Sequence, residues 1–203
     1  MRQLQPNMKK NTPSKRHNRA AIVAGALIFT ALFSAPSTFA QSPTVVPAAA
    51  PLLADGGFEA APGGSNPWRP FQHAGVKAYE FARDKEVKTE GTQSLRVTQR
   101  EEQVFGAVRQ SIARPPVGRY ELSAQMRSRG TDGKGWRLEV ALLLENGEVL
   151  TYDAPQLTGD VEWTRRELRF DIPAKTLFLE VIVGLHGNRG TGWLDAMVLK
   201  PLP

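Results

Sequence analysis

The chain has 203 residues, with 26 Lys and Arg against 20 Asp and Glu, a pI of about 9.8 and no cysteine. Residues 1–40 hold six basic side chains and no acid, so the other 20 basic residues are balanced by 20 acidic ones. The basic pI therefore belongs to the leader and supplies no reason to expect a nucleic-acid partner. Without cysteine there is no disulfide, thiolate zinc site, cysteine nucleophile or lipid-modified cysteine anchor.

Residues 1–19 are polar and basic, and Ala20 to Ala35 is an uncharged run of sixteen residues. Small residues follow, with Thr38 and Ala40 placed before Gln41. A basic start, a short apolar stretch and a small-residue cleavage site predict a signal peptide helix over 1–40, cut after Ala40. Sixteen apolar residues fall short of the ~20 that span a bilayer, so no membrane span is expected once the signal is removed. The protein is then secreted or periplasmic. Residues 41–51 contain three prolines and three alanines and read as an extended spacer.

Period-two alternation begins after Leu52. Leu95 and Val97 alternate with Arg96 and Thr98. Tyr120, Leu122, Ala124 and Met126 alternate with Glu121, Ser123, Gln125 and Arg127. Leu138, Val140 and Leu142 alternate with Arg137 and Glu139, and Leu168, Phe170 and Ile172 with Arg169 and Asp171. Leu179, Val181 and Val183 continue the pattern near the end. Such alternation marks strands with one buried face. Strands are expected near 52–59, 68–72, 77–83, 94–100, 104–113, 119–129, 136–145, 148–154, 162–172, 176–186 and 192–200. Asn146-Gly147 predicts a hairpin with a type I′ turn. The fold class is all-β, a two-sheet antiparallel jelly-roll sandwich over residues 52–203.

Catalytic signatures are sparse. Beyond the leader the histidines are His73 and His186, and there is no H-E-x-x-H and no G-x-S-x-G. Outward acids such as Glu121, Glu139, Glu167 and Glu180 form no tight E-x-D-x-E cluster. Sugar sites pair flat rings with planar polar side chains. Tyr79, Trp136 and Tyr152 are the candidate platforms, because Trp68, Trp163 and Trp193 stand at strand starts or edges. Gln125, Arg127, Arg137 and Glu139 are expected beside the platforms on one open sheet face. Leu143 and Phe178 interrupt polar phases and mark an apolar patch.

The opening Asp55-Gly56-Gly57-Phe58-Glu59 followed by Trp68 resembles the "N-G-G/D-F-E … W" start of carbohydrate-binding modules of the CenC type (families 4, 9 and 22). Gly91-Thr92-Gln93-Ser94-Leu95-Arg96-Val97 is similar to their "G-x-x-S-L-x-V" strand. Gly118-Arg119-Tyr120-Glu121-Leu122-Ser123 resembles "G-x-Y-x-L-S", and Trp163, Phe170 and Pro173 follow in the family's order. Trp193-Leu194-Asp195-Ala196-Met197-Val198-Leu199 resembles the closing "(aromatic)-x-D-D-V-x-L". The likeness runs from about 52 to 200.

This resemblance implies a galactose-binding-like jelly roll that binds polysaccharide without catalysis, in relatives usually attached to a glycoside hydrolase. It also implies one structural calcium ion, held by Gly57, Glu59, Thr89, Gly91 and Asp195. Ala196 departs from the family's second Asp, so that site depends on Asp195 alone. Two other classes stay open: a polysaccharide hydrolase, and a structural or protein-interaction module of the cell envelope.

Overall fold

A computed structural model describes residues 51–60, 66–72, 78–100, 106–185 and 189–203. The expected signal peptide, most of the spacer, His73 and His186 lie outside them. Among the described residues no helix occurs, and none is long and apolar enough to cross a membrane. The strands are β1 (Arg69–Gln72), β2 (Tyr79–Asp84), β3 (Ser94–Gln99), β4 (Gly106–Ala113), β5 (Gly118–Leu144), β6 (Val149–Asp153), β7 (Leu157–Ile172), β8 (Thr176–Leu185) and β9 (Gly190–Pro201). All pair antiparallel, in the order β1-β4-β8-β5-β9-β3-β2, with β6 and β7 also pairing β5.

Strand β5 determines the architecture. Its first half pairs with β7 and β9 and its second half with β8 and β6. Where the sequence predicts strands at 119–129 and 136–145, one chain segment thus passes from one layer to the other. Gly130, Gly133 and Gly135 in this crossing have φ between +54° and +67°, a region that glycine enters without Cβ strain. Three register shifts against β7 accompany the turn from layer to layer. The front layer is β7-β5-β9-β3-β2 and the back layer is β6-β5-β8-β4-β1.

Inward phases of both layers make one core. Leu95, Val97, Leu122, Met126, Leu138, Val140, Leu142, Val181, Val183 and Leu194 are buried. Two aromatic-on-glycine contacts set the spacing between layers. The Trp136 ring lies on Gly192, where an added Cβ would sit 2.3 Å from the ring, and the Tyr79 ring lies on Gly106 in the same way. Trp136 also donates its indole N–H to the Trp193 carbonyl at 3.0 Å. Tyr79 reaches the Leu185 carbonyl at 3.5 Å, and burial pushes its hydroxyl pKa up to about 12.

The expected strand at 52–59 is absent. Asp55 and Phe58 both have positive φ, which breaks any ladder. In its place the Gln110 side-chain amide pairs with Ala54 as a neighbouring peptide would, accepting from its N–H and donating to its carbonyl, both at 2.8 Å. Phe58 still reaches the core, fully buried and 5.0 Å from the Trp68 ring. The Asn146-Gly147 turn also differs from the expected type I′. Only Gly147 has positive φ, and Gly147 N–H bonds the Leu144 carbonyl while Leu144 N–H bonds the Glu148 carbonyl. This is a three-residue loop with a bulge at glycine, completed by Asn146 Oδ1 accepting from Glu148 N–H at 3.0 Å.

Gly192→Ala is expected to lower stability by roughly 2–3 kcal/mol, because the ring and both layers must shift to admit one methyl group. Denaturant unfolding of this variant checks the contact, and an unchanged midpoint would refute it.

Candidate functional site

The layer crossing redistributes the residues expected on one face. Gln125 and Arg127 lie on the outer phase of β5's first half, in the front layer, whereas Arg137 and Glu139 lie on the outer phase of its second half, in the back layer. The expectation of a single shared face is corrected by this change of sheet. The three expected platforms are corrected as well. Trp136 and Tyr79 are buried between the layers. Tyr152 pairs with Val140 on the inward phase and rests 5.6 Å from Phe170. Trp136 and Tyr79 present no flat face to solvent, and Tyr152 is half-buried against the core. Alternation alone misled here, because Trp136 follows the glycine-rich crossing and its phase could not be counted from the first half of the strand.

The front face is closed by its own charges. Arg96 meets Glu80 at 3.1 Å and Asp84 at 3.6 Å, and Arg100 also pairs with Glu80. Trp193 donates its indole N–H to Asp84 at 2.9 Å, and the Arg127 guanidinium lies 5.6 Å above its ring. Arg127 and Arg129 both pair with Glu162. Farther along, Glu121 accepts from Lys200 at 2.9 Å and Arg169 at 3.0 Å. The Lys200 bond, then the Arg169 bond, hold its carboxyl below the usual range. Each of these arginines is thus paired with an acid, although Nε of Arg96 and of Arg127 is buried without a hydrogen-bond partner.

The back face is built differently. Its central rows place Arg69 and Arg109 on β1 and β4, Glu180 and Ile182 on β8, Arg137 and Glu139 on β5, and Thr151 and Asp153 on β6. Arg109 pairs with Glu180 at 3.3 Å and lies 4.9 Å from the Phe71 ring centre, and Ser111 donates to Glu180 at 2.8 Å. Arg137 pairs with Asp153. The next row is apolar: Phe178, Leu143 and Val149 are register partners across β8, β5 and β6. With Phe71 they account for four of the six exposed large apolar side chains among the described residues, so the apolar exposure is concentrated on this face. Leu143 and Phe178 were legible as phase-breaking residues, whereas Phe71, Val149, Arg109 and Glu180 join them only through strand order.

Glu139 stands out electrostatically. Burial raises its pKa, repulsion from Asp153 adds to this, and Arg137 opposes both. A carboxyl whose folded pKa is raised stabilises the fold at low pH and loses that contribution as pH rises through the folded value. Glu139→Gln should therefore stabilise the protein at neutral pH and leave it nearly unchanged near pH 4. Thermal unfolding of both forms at the two pH values checks the sign.

The residues expected to hold calcium are brought together around one loop. Asp195 is fully buried, and its Oδ2 accepts from Thr89 N–H at 2.7 Å, Thr89 Oγ1 at 2.8 Å and Glu90 N–H at 3.1 Å, while Oδ1 accepts from Ala196 N–H at 2.8 Å. Glu59 accepts from Thr92 N–H at 2.9 Å, Thr92 Oγ1 and Gln93 N–H at 3.4 Å. Gly91, at φ +61°, lies so close that an added Cβ would meet Glu59 Oε1 at 2.1 Å. Gly57 belongs to the same corner, beside Gly56, whose carbonyl accepts from Met197 N–H at 2.9 Å. The donors facing both carboxylates are backbone N–H groups and the hydroxyls of Thr89 and Thr92. Among the described residues no three acids or histidines converge on a common point. In this structure the loop's own N–H and O–H groups are the partners of the two acids.

Asp195→Ala should cost roughly 2–3 kcal/mol, since it empties a fully buried position and leaves the part-buried donors of Thr89, Glu90 and Ala196 without their acceptor. The melting temperature of the unmodified protein is expected to be the same in EDTA and in calcium. A rise with calcium would show that the loop reorganises to bind it.

No protein-family model matches the sequence, and no curated protein matches it. Solved structures do match in three dimensions. One is the C-terminal family 22 carbohydrate-binding module of Clostridium thermocellum Xyn10B, at 15% identity and TM-score 0.54, covering 76% of this chain and 97% of that one. Another is TmCBM61, solved in complex with beta-1,4-galactotriose, at 19% identity and TM-score 0.53, covering 75% and 99%. A third is the enzymatically active domain of bacteriophage CBA120 tailspike protein 4, at 13% identity and TM-score 0.57; it covers 75% of this chain, which spans only 21% of the tailspike chain. With two five-stranded layers joined through β5 and these structural neighbours, the chain has the jelly-roll fold of carbohydrate-binding modules.

Proposed function

We propose that the protein is an exported, non-catalytic module that binds polysaccharide on the outer face of its back layer. The observation that carries this reading is the coexistence on one face of planar hydrogen-bonding side chains and exposed rings. Arg109, Arg137, Glu139, Asp153 and Glu180 can each address two neighbouring hydroxyls. Phe71 and Phe178 offer apolar surface to the C–H faces of a sugar. The fold's neighbours supply the analogy: TmCBM61 was solved with galactotriose, and the CBM22-1-GH10 modules of Clostridium thermocellum Xyn10B with xylohexaose. Export through residues 1–40 and tethering by the 41–51 spacer complete the proposal.

A second reading rests on Glu139. It and Asp153 are direct cross-strand partners, a relation that sets Cβ atoms ~4.5–5.5 Å apart. Retaining glycosidases hold their two carboxyl groups at ~5 Å. With its pKa raised, Glu139 is suited to donate a proton, and Asp153, paired with Arg137, to act as nucleophile in a hydrolase. Release of reducing ends from a bound polysaccharide, abolished in Glu139→Gln, would establish that reading over simple binding.

Glycan-array screening followed by affinity electrophoresis tests the main proposal. Binding to one polysaccharide class should weaken at least about tenfold in Arg109→Ala and in Phe178→Ala, and should persist in Arg127→Ala on the front face. Folded protein that binds nothing, or loses binding only through Arg127, would overturn it.

A further inference from the structure

Among the described residues the two layers do not close along their whole free side. The outermost strands are β1 in the back layer and β2 in the front layer. Near Tyr79 the layers touch through Gly106. At the other end of β2 they part, leaving a cleft of about 320 Å³ with walls that include Trp68, Pro70, Phe81 and Val108. This volume is at the lower end of small-molecule sites.

Arg83 projects into this apolar space. It follows Tyr79 and Phe81 on the inward phase of β2, where its register partner is Leu95. Its side chain is only 10% exposed. A guanidinium carries five N–H donors and is costly to bury unless they are answered. Here one nitrogen reaches Asp55 Oδ2 and Asn66 Oδ1, both at the long distance of 3.5 Å. Asp55 is already shared, because its Oδ1 accepts from Ala60 N–H at 3.0 Å. Arg83 Nε is buried and has no hydrogen-bond partner. The Phe58 ring below, 5.1 Å from the guanidinium carbon, holds the group in place and donates nothing. Arg69 at the rim adds a second positive charge.

From this geometry we propose that the cleft between β1 and β2 is a binding site for a small organic carboxylate with a flat apolar body, anchored on Arg83. A carboxylate can accept two parallel N–H bonds from one guanidinium, which a hydroxyl or a neutral amide cannot do as well. The apolar walls take the ring and suit a sugar poorly. The site shares no residue with the back-face rows other than Arg69 at its rim, so it stands or falls separately from polysaccharide binding.

Calorimetric titration with benzoate and cinnamate, against neutral benzamide and cinnamyl alcohol, tests the site, with amide chemical shifts locating the response. The carboxylates should bind and shift the resonances of Trp68, Phe81 and Val108, and the neutral analogues should bind at least about tenfold more weakly. In Arg83→Met, which keeps the length of the side chain, carboxylate affinity should fall to that of the neutral analogues. Circular dichroism then establishes that the variant is folded. Equal binding of acid and amide, undiminished binding in Arg83→Met, shifts confined to the back face, or no binding of any carboxylate to folded protein would each overturn the proposal.

Discussion

Everything in this domain depends on how closely its two layers approach, and that distance is set by aromatic rings lying on glycine backbone. Trp136 from the back layer occupies the space above Gly192 in the front, and Tyr79 from the front occupies the space above Gly106 in the back. Neither ring can be accommodated if the glycine carries a side chain. Packing at crystal-like density tolerates no slack at such points, so the two contacts fix the register of the layers and hence which residues share a face. Trp136 is also tied by its indole N–H to the strand it covers. A large apolar surface and a directional bond therefore act at one place.

A second constraint holds the ends of the chain. The opening turn, the loop between β2 and β3 and the last strand meet at Glu59 and Asp195. Each carboxylate collects backbone amides from the same loop, Asp195 from residues 89 and 90 and Glu59 from residues 92 and 93. Gln93 adds a bond to the Phe58 carbonyl at 2.8 Å. A carboxylate ringed by N–H groups is neutralised without any ion. The amides of one loop thus draw both carboxylates to the same corner.

The two outer faces then diverge in character because of what borders their charges. In the front layer arginines and acids alternate across neighbouring strands and pair with one another, with Trp193 held between Arg127 and Asp84. In the back layer Arg109 and Arg137 are likewise ion-paired, but their rows are bordered by exposed phenylalanine, leucine and valine, which adds apolar surface for a partner. At the open side Arg83 shows the same principle on a smaller scale, a buried cation whose donors are only partly answered.

Much of the fold could be read from the chain. Strict alternation in residues such as Tyr120 to Arg127 and Leu138 to Leu142 specifies strands with one buried face, because side chains on a pleated backbone point to opposite sides at every step. The opening and closing motifs located the corner where the first described turn meets the last strand, and Phe58, Glu59 and Asp195 all lie there. What alternation could not convey is where a strand changes layers. Gln125 and Glu139 have the same phase, yet three positive-φ glycines and three register shifts between them send the two halves of β5 to opposite layers. Burial of Trp136 and Tyr79, and the packing of Tyr152 against Phe170, likewise arise from contacts with glycines and rings distant in sequence. Local periodicity determined the strands; long-range pairing alone decided which of their side chains meet, because a face is made of neighbours that the sequence keeps far apart.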